Sequence, residues 1–90
     1  MNVAIDFGIT NTDIAVSNGG VLDFFSFKTN PPIEESIILG LLNQIKINHK
    51  SVKTIGISGG KSSDFSEDIG SIKLIKVPEV DLLFTIQHRN

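Results

Sequence analysis

The hydrophobic period of this 90-residue chain changes near Pro31-Pro32, and that change limits the folds open to it. Before it, residues 2–6 form a short apolar run ending in a carboxylate, and residues 13–17 an extended run with Ile14 and Val16 on one face. Residues 21–28 make a third extended run. Ser17-Asn18-Gly19-Gly20 joins the second run to the third, and Asn and Gly tolerate the positive φ that a tight hairpin requires. The first third therefore reads as a β-meander. After the change, Ile33, Ile37, Leu41 and Ile45 recur at spacing four, joined by Ile38 and Leu42, which is one apolar helical face.

The spacing predicts a helix that opens at Pro31-Pro32, where a missing N–H has no intrahelical use. Glu34 and Glu35 would sit at its N-terminal end and Lys46, His49 and Lys50 at its C-terminal side, the signs that the helix dipole favours. A fourth strand is expected over 52–58, ended by Gly59-Gly60, then a short helix from Lys61 to Ile69 and a fifth strand over 71–77. Pro78 ends that strand, and Glu79 to Gln87 reads as a last helix. The expected order is β-β-β-α-β-α-β-α, an α/β fold with a mixed sheet and helices on its faces.

Composition narrows the function classes. Hydrophobic residues make up 40% and charged residues 20% of the chain, with 14 isoleucines, which is globular rather than disordered. The absence of cysteine excludes a disulfide scaffold, a thiolate metal site and a cysteine nucleophile. A net charge of −2 gives no electrostatic footprint for nucleic acid. No apolar run reaches the roughly 20 residues of a membrane span, and the start lacks the basic stretch of a signal peptide, so a single cytoplasmic domain over 1–90 is expected. His49 and His88 are isolated and make no metal site.

The segment Asp6-Phe7-Gly8-Ile9-Thr10-Asn11-Thr12 carries the chemistry. Gly8 lets the backbone turn tightly and approach an anion. Successive N–H groups with the Thr10, Asn11 and Thr12 side chains can donate to phosphate oxygens. Asp6 at the strand end can hold Mg²⁺, directly or through water. The alternative is a hairpin turn whose Asp and Thr side chains cap backbone groups.

Ile5-Asp6-Phe7-Gly8-Ile9-Thr10-Asn11-Thr12 resembles the first phosphate motif of the actin-like ATPase superfamily, which includes sugar kinases and actin. Ile55-Gly56-Ile57-Ser58-Gly59-Gly60-Lys61 resembles the strand and Gly-Gly-Lys segment of type II, or Fumble-like, pantothenate kinases. Lys76-Val77-Pro78-Glu79-Val80-Asp81 is similar to the Glu-x-Asp segment of that family.

The resemblance implies a ribonuclease H-like subdomain, the N-terminal half of an actin-like fold whose second half is absent. It implies ATP and Mg²⁺ as cofactors, with Asp6 on the metal and Gly8, Thr10, Asn11 and Thr12 at the ATP phosphates. Glu79 would be the general base that takes the proton of a pantothenate hydroxyl, an early step toward coenzyme A, and Gly59, Gly60 and Lys61 would lie beside the substrate cleft. Glu79 as a solvated residue of a helix first turn and Lys61 as an exposed lysine are the competing readings.

The family usually has a second glycine where this chain has Ile9. The chain alone is not expected to be a competent kinase, and a C-terminal half or a partner chain would complete it. N-methylhydantoinases share the D-x-G-x-T-x-T-D opening, including Asp13, so a hydantoinase-like hydrolase segment is a second reading. A third is a non-catalytic module that kept the fold and pairs through a sheet edge or through Val80, Leu82, Leu83, Phe84 and Ile86 with another chain or a second copy.

Overall fold

The computed structural model describes residues 1–30, 33–59, 62 and 65–76. The expected meander is present as β1 (Asn2–Phe7), β2 (Asn11–Asn18) and β3 (Val21–Lys28), followed by α1 (Ser36–Gln44), a 3-10 turn over His49–Ser51, β4 (Thr54–Gly59), β5 (Asp68–Ile69) and β6 (Ile72–Lys76). The six strands form one mixed sheet in the order β3-β2-β1-β4-β6-β5. β1 pairs antiparallel with β2 and parallel with β4, and β4 pairs parallel with β6. The two-residue Gly19-Gly20 connection sets the β2–β3 register, with Asn18 opposite Val21 and Asn11 opposite Lys28.

Side chains alternate across this sheet as a strand period of two requires. One face carries Val3, Ile5 and Phe7 of β1, Ile14 and Val16 of β2, Ile55 and Ile57 of β4, and Ile72 and Leu74 of β6. These residues share a single core with Ile38, Leu41 and Leu42 of α1, so the helical face read from the sequence is the face that packs. Phe65 joins them, its ring edge-on to Phe7 with centroids 5.6 Å apart and planes at 72°. The other face of the central strands carries small or polar residues: Ala4, Asp6, Asp13, Ala15, Gly56 and Ser58.

Three expectations are corrected. β2 begins at Asn11 rather than Asp13, leaving only Gly8-Ile9-Thr10 between the first two strands. The helix starts only at Ser36 and ends at Gln44, and Lys46 at φ 63° stops it before His49 and Lys50. There the Ile47 N–H donates to the Leu42 carbonyl at 2.9 Å and the Lys46 N–H to the Asn43 carbonyl at 3.0 Å, the paired bonds of a Schellman termination. Ile47 then packs on the core, while His49 and Lys50 fall in the 3-10 turn, which Asn48 caps by accepting the Lys50 N–H at 3.0 Å. At the other end Glu35 is the N-cap residue rather than part of the first turn.

The third correction concerns the short helix expected from Lys61 to Ile69. Asp68 and Ile69 are instead strand β5, antiparallel to β6 with Ile69 opposite Ile72. Gly70-Ser71 between two isoleucines is a hairpin signal, and it prevails over the helical reading. The last helix expected over 79–87 lies outside the described residues. Among the described residues α1 is the one α-helix, and no helix is long and apolar enough to cross a membrane.

Candidate functional site

Parallel strands β1 and β4 end side by side, with Asp6 opposite Ser58 and Phe7 opposite Gly59. In open α/β sheets, ligands gather outside such carboxyl ends. Two glycines permit close backbone approaches here, Gly59 of β4 against the end of β1 and Gly8 against the start of β2. A Cβ on Gly8 would lie 2.6 Å from the Asn11 carbonyl oxygen, and a Cβ on Gly59 would collide with the Phe7 carbonyl. Gly59 also sits at φ 101°, a conformation that side chains rarely adopt.

The Gly8-Ile9-Thr10 loop is shaped by hydrogen bonds from both sides. The Gly8 N–H donates to the Asn11 carbonyl at 3.0 Å. Thr29, just past the end of β3, donates its N–H to the Thr10 carbonyl at 2.9 Å and its hydroxyl to the Gly8 carbonyl at 2.8 Å. The Thr29 hydroxyl has one proton, already directed at Gly8. In its 3.0 Å contact with Thr12, therefore, the Thr12 hydroxyl is the donor. Thr12 is buried. Its hydroxyl and the Gly8 N–H thus act within the loop's own frame, whereas Thr10 and Asn11 are exposed and Ile9 is 99% exposed at the tip.

Asp6 lies on the opposite face of the sheet from Thr12. Four residues of adjacent strands line up there: Ser58 of β4, Asp6 of β1, Asp13 of β2 and Ser26 of β3. The Ser58 hydroxyl donates to Asp6 Oδ1 at 3.0 Å, and the Ser26 hydroxyl donates to Asp13 Oδ1 at 2.7 Å. Asp6 is buried, 4% exposed, and a buried carboxylate requires such donors. Two carboxylates directly opposite each other repel, and a divalent cation between or above them relieves that repulsion.

Mg²⁺ keeps several waters and takes one or two protein carboxylates with other oxygen ligands. The Asp6–Asp13 pair with its serine hydroxyls fits that donor set. Among the described residues, no larger cluster of His, Cys, Asp or Glu comes together.

Of the residues singled out from the sequence, the structure groups Gly8, Thr10, Asn11 and Thr12 in and beside one braced loop and sets Asp6 at the same end of the sheet, on the face away from Thr12. Gly59 closes beside Phe7, and its carbonyl accepts the buried Ser62 hydroxyl at 2.7 Å. Gly60, Lys61 and Glu79 lie outside the described residues. The sequence reading overlooked Thr29 and Ser58. The Thr29 signal was present: counting outward from the Gly19-Gly20 turn places Thr29 opposite Thr10.

No family model matches this chain, and no curated protein matches it. What the chain shows directly is an α/β architecture with a mixed six-stranded sheet and, at the joined ends of β1 and β4, a glycine loop next to a buried aspartate.

Proposed function

We propose that the chain is the ATP-phosphate-binding part of a small-molecule kinase of the actin-like type, with a pantothenate-like alcohol as phosphate acceptor. The observation that carries this reading is the Thr29-braced loop from Gly8 to Asn11 beside Asp6. It is a short turn, fixed by backbone bonds and the Thr29 hydroxyl, with the exposed polar side chains of Thr10 and Asn11 following Ile9 at its tip and a carboxylate at the strand end before it. The strand order β3-β2-β1-β4-β6-β5, with β1 between an antiparallel and a parallel neighbour, is that of a mixed α/β sheet, and a ribonuclease H-like layout is part of this proposal rather than of that order.

In this reading Thr10 and Asn11 donate to phosphate oxygens, while Thr12 and Thr29 keep the loop in shape. Asp6, held by Ser58, and Asp13 supply the oxygen ligands for Mg²⁺. The metal, when bound, neutralises charge that develops on the transferred phosphoryl group. Glu79 supplies the base for the acceptor hydroxyl, a role that rests on the sequence resemblance. A second half or partner chain would close over the nucleotide.

The test is a titration of the ¹⁵N-labelled chain with ATP in the presence of Mg²⁺, followed by amide shifts. Saturable shifts at Gly8, Ile9, Thr10 and Asn11, reduced at least about tenfold in affinity by Asp6→Asn, are expected. Unchanged amides at millimolar nucleotide would overturn the proposal. Where a longer native form is isolated, Asp6→Asn and Glu79→Gln are each expected to abolish ATP turnover with pantothenate.

A further inference from the structure

The two edges of the sheet are unlike. β5 is two residues long, Asp68–Ile69, and one of the two is charged. Shortness and charge are devices that keep a strand edge from pairing with another chain. β3, at the other end of the strand order, is built differently. It runs eight residues from Val21 to Lys28 and matches β2 one residue to one throughout, so no bulge turns it aside. It contains no proline, and Asp23 and Lys28 are its only charged residues. Among the described residues no strand pairs with its outer side. Every second residue of an antiparallel strand turns its N–H and C=O to the same side, so half of the backbone groups of β3 point away from β2.

The side chains of this edge are apolar on both faces. By register, Val21, Phe25 and Phe27 lie on the α1 face and Leu22 and Phe24 on the Asp6 face. Val21 is 60% and Phe24 54% exposed. A strand that pairs antiparallel with a second copy of itself about a twofold axis needs only its own residues, one patch on both subunits. The charges of β3 suit that arrangement. Pairing about Phe25 sets Asp23 of one copy opposite Phe27 of the other, next to Lys28, and the two charges cancel in sum. Parallel pairing in register would instead set like charges side by side. The short, charged β5 does not extend the sheet in the same way, so association stops at two copies.

We propose that two copies of this chain pair antiparallel along β3, joining their sheets into one continuous sheet. An eight-residue strand is about 27 Å long and a sheet with its side chains about 10 Å thick, so each copy covers roughly 300 Å². A standard interface covers about 800 Å² per partner, so a dissociation constant of about 1 μM or weaker is expected. The proposal does not depend on the kinase reading, since it uses the outer edge of β3 and the exposed side chains of Val21 and Phe24.

The experiment is sedimentation equilibrium of the chain from micromolar to millimolar concentration, with amide exchange measured at both ends of that range. A reversible monomer–dimer equilibrium is expected, with protection of every second amide of β3 rising with concentration. Phe24→Lys puts a charge on the edge and is expected to weaken the dimer at least about tenfold with the fold intact. Ile75→Lys is the control. Ile75 is 45% exposed and shares a row of the same face with Phe24, but it lies in β6, away from the β3 edge. Its substitution is expected to leave the dimer unchanged. A chain that stays monomeric at millimolar concentration overturns the proposal. So does growth beyond the dimer, a dimer that survives Phe24→Lys, or equal loss in both variants, which would move the contact from the edge to the sheet face. If Phe24→Lys fails to fold, exchange along β3 that is independent of parent concentration overturns it alone.

Discussion

The Thr29 hydroxyl donates to the Gly8 carbonyl at 2.8 Å, across 21 residues of sequence, and joins the end of β3 to the loop after β1. The same oxygen accepts the Thr12 hydroxyl at 3.0 Å, so one side chain links three segments. Thr29→Val keeps the shape of the side chain and removes both bonds. It leaves the Gly8 carbonyl without that donor and the buried Thr12 hydroxyl without its acceptor. A loss of about 1–3 kcal/mol in urea unfolding is expected, with faster amide exchange at Ile9 and Thr10. Thr29→Ser should recover most of the stability. A valine variant as stable as the parent would show that the strand pairing alone shapes the loop.

Gly59 gives the sharpest steric expectation. Its φ of 101° and the Phe7 carbonyl in the path of any Cβ make Gly59→Ala strained by conformation and by collision. A cost of about 2 kcal/mol or more is expected, read as a lower denaturation midpoint with an unchanged slope. Shift changes should centre on Phe7, the register partner of Gly59, and on the adjacent Ser58.

The sequence made the meander, the α1 packing face and the two later parallel strands legible because each rests on a local period. The boundaries it misread were set by backbone geometry that local pattern does not carry. At Lys46 the apolar spacing continues through Ile45, and nothing in a lysine signals a left-handed residue. At Asp68-Ile69 a pattern compatible with helix lost to the Gly70-Ser71 turn, which the pairing of Ile69 with Ile72 makes productive. Within the site, Asp6 and Gly8 were visible as a motif. The separation of Asp6 from Thr12 onto two faces follows from strand alternation, and the row of Ser58, Asp6, Asp13 and Ser26 follows from a register that only the assembled sheet displays.

The helix stop can be tested on its own. Lys46 is exposed and holds φ 63°, a region that costs an L-residue other than glycine roughly 1 kcal/mol. Lys46→Gly should therefore stabilise the protein by about 0.5–1 kcal/mol, the added freedom of the unfolded chain offsetting part of the gain. Equilibrium unfolding measures the change. A destabilised glycine variant would mean that the lysine side chain itself supports the termination.

The facing pair Asp6 and Asp13 leads to two opposed effects of one substitution. Without metal, Asp13→Asn removes a like charge directly opposite Asp6 and is expected to stabilise the chain by about 0.2–1 kcal/mol. With Mg²⁺, the parent gains stability because the cation binds the folded pair and not the unfolded chain, and the variant should gain less. Asp6→Asn should abolish the gain, since it removes the buried member of the pair while an amide oxygen can still accept from Ser58. Thermal unfolding at several Mg²⁺ concentrations, with Na⁺ at matched ionic strength as the control for simple screening, separates these effects. Equal melting shifts for the parent and both variants would remove the carboxylate pair from consideration as a metal site and leave the row as a structural polar seam across the sheet.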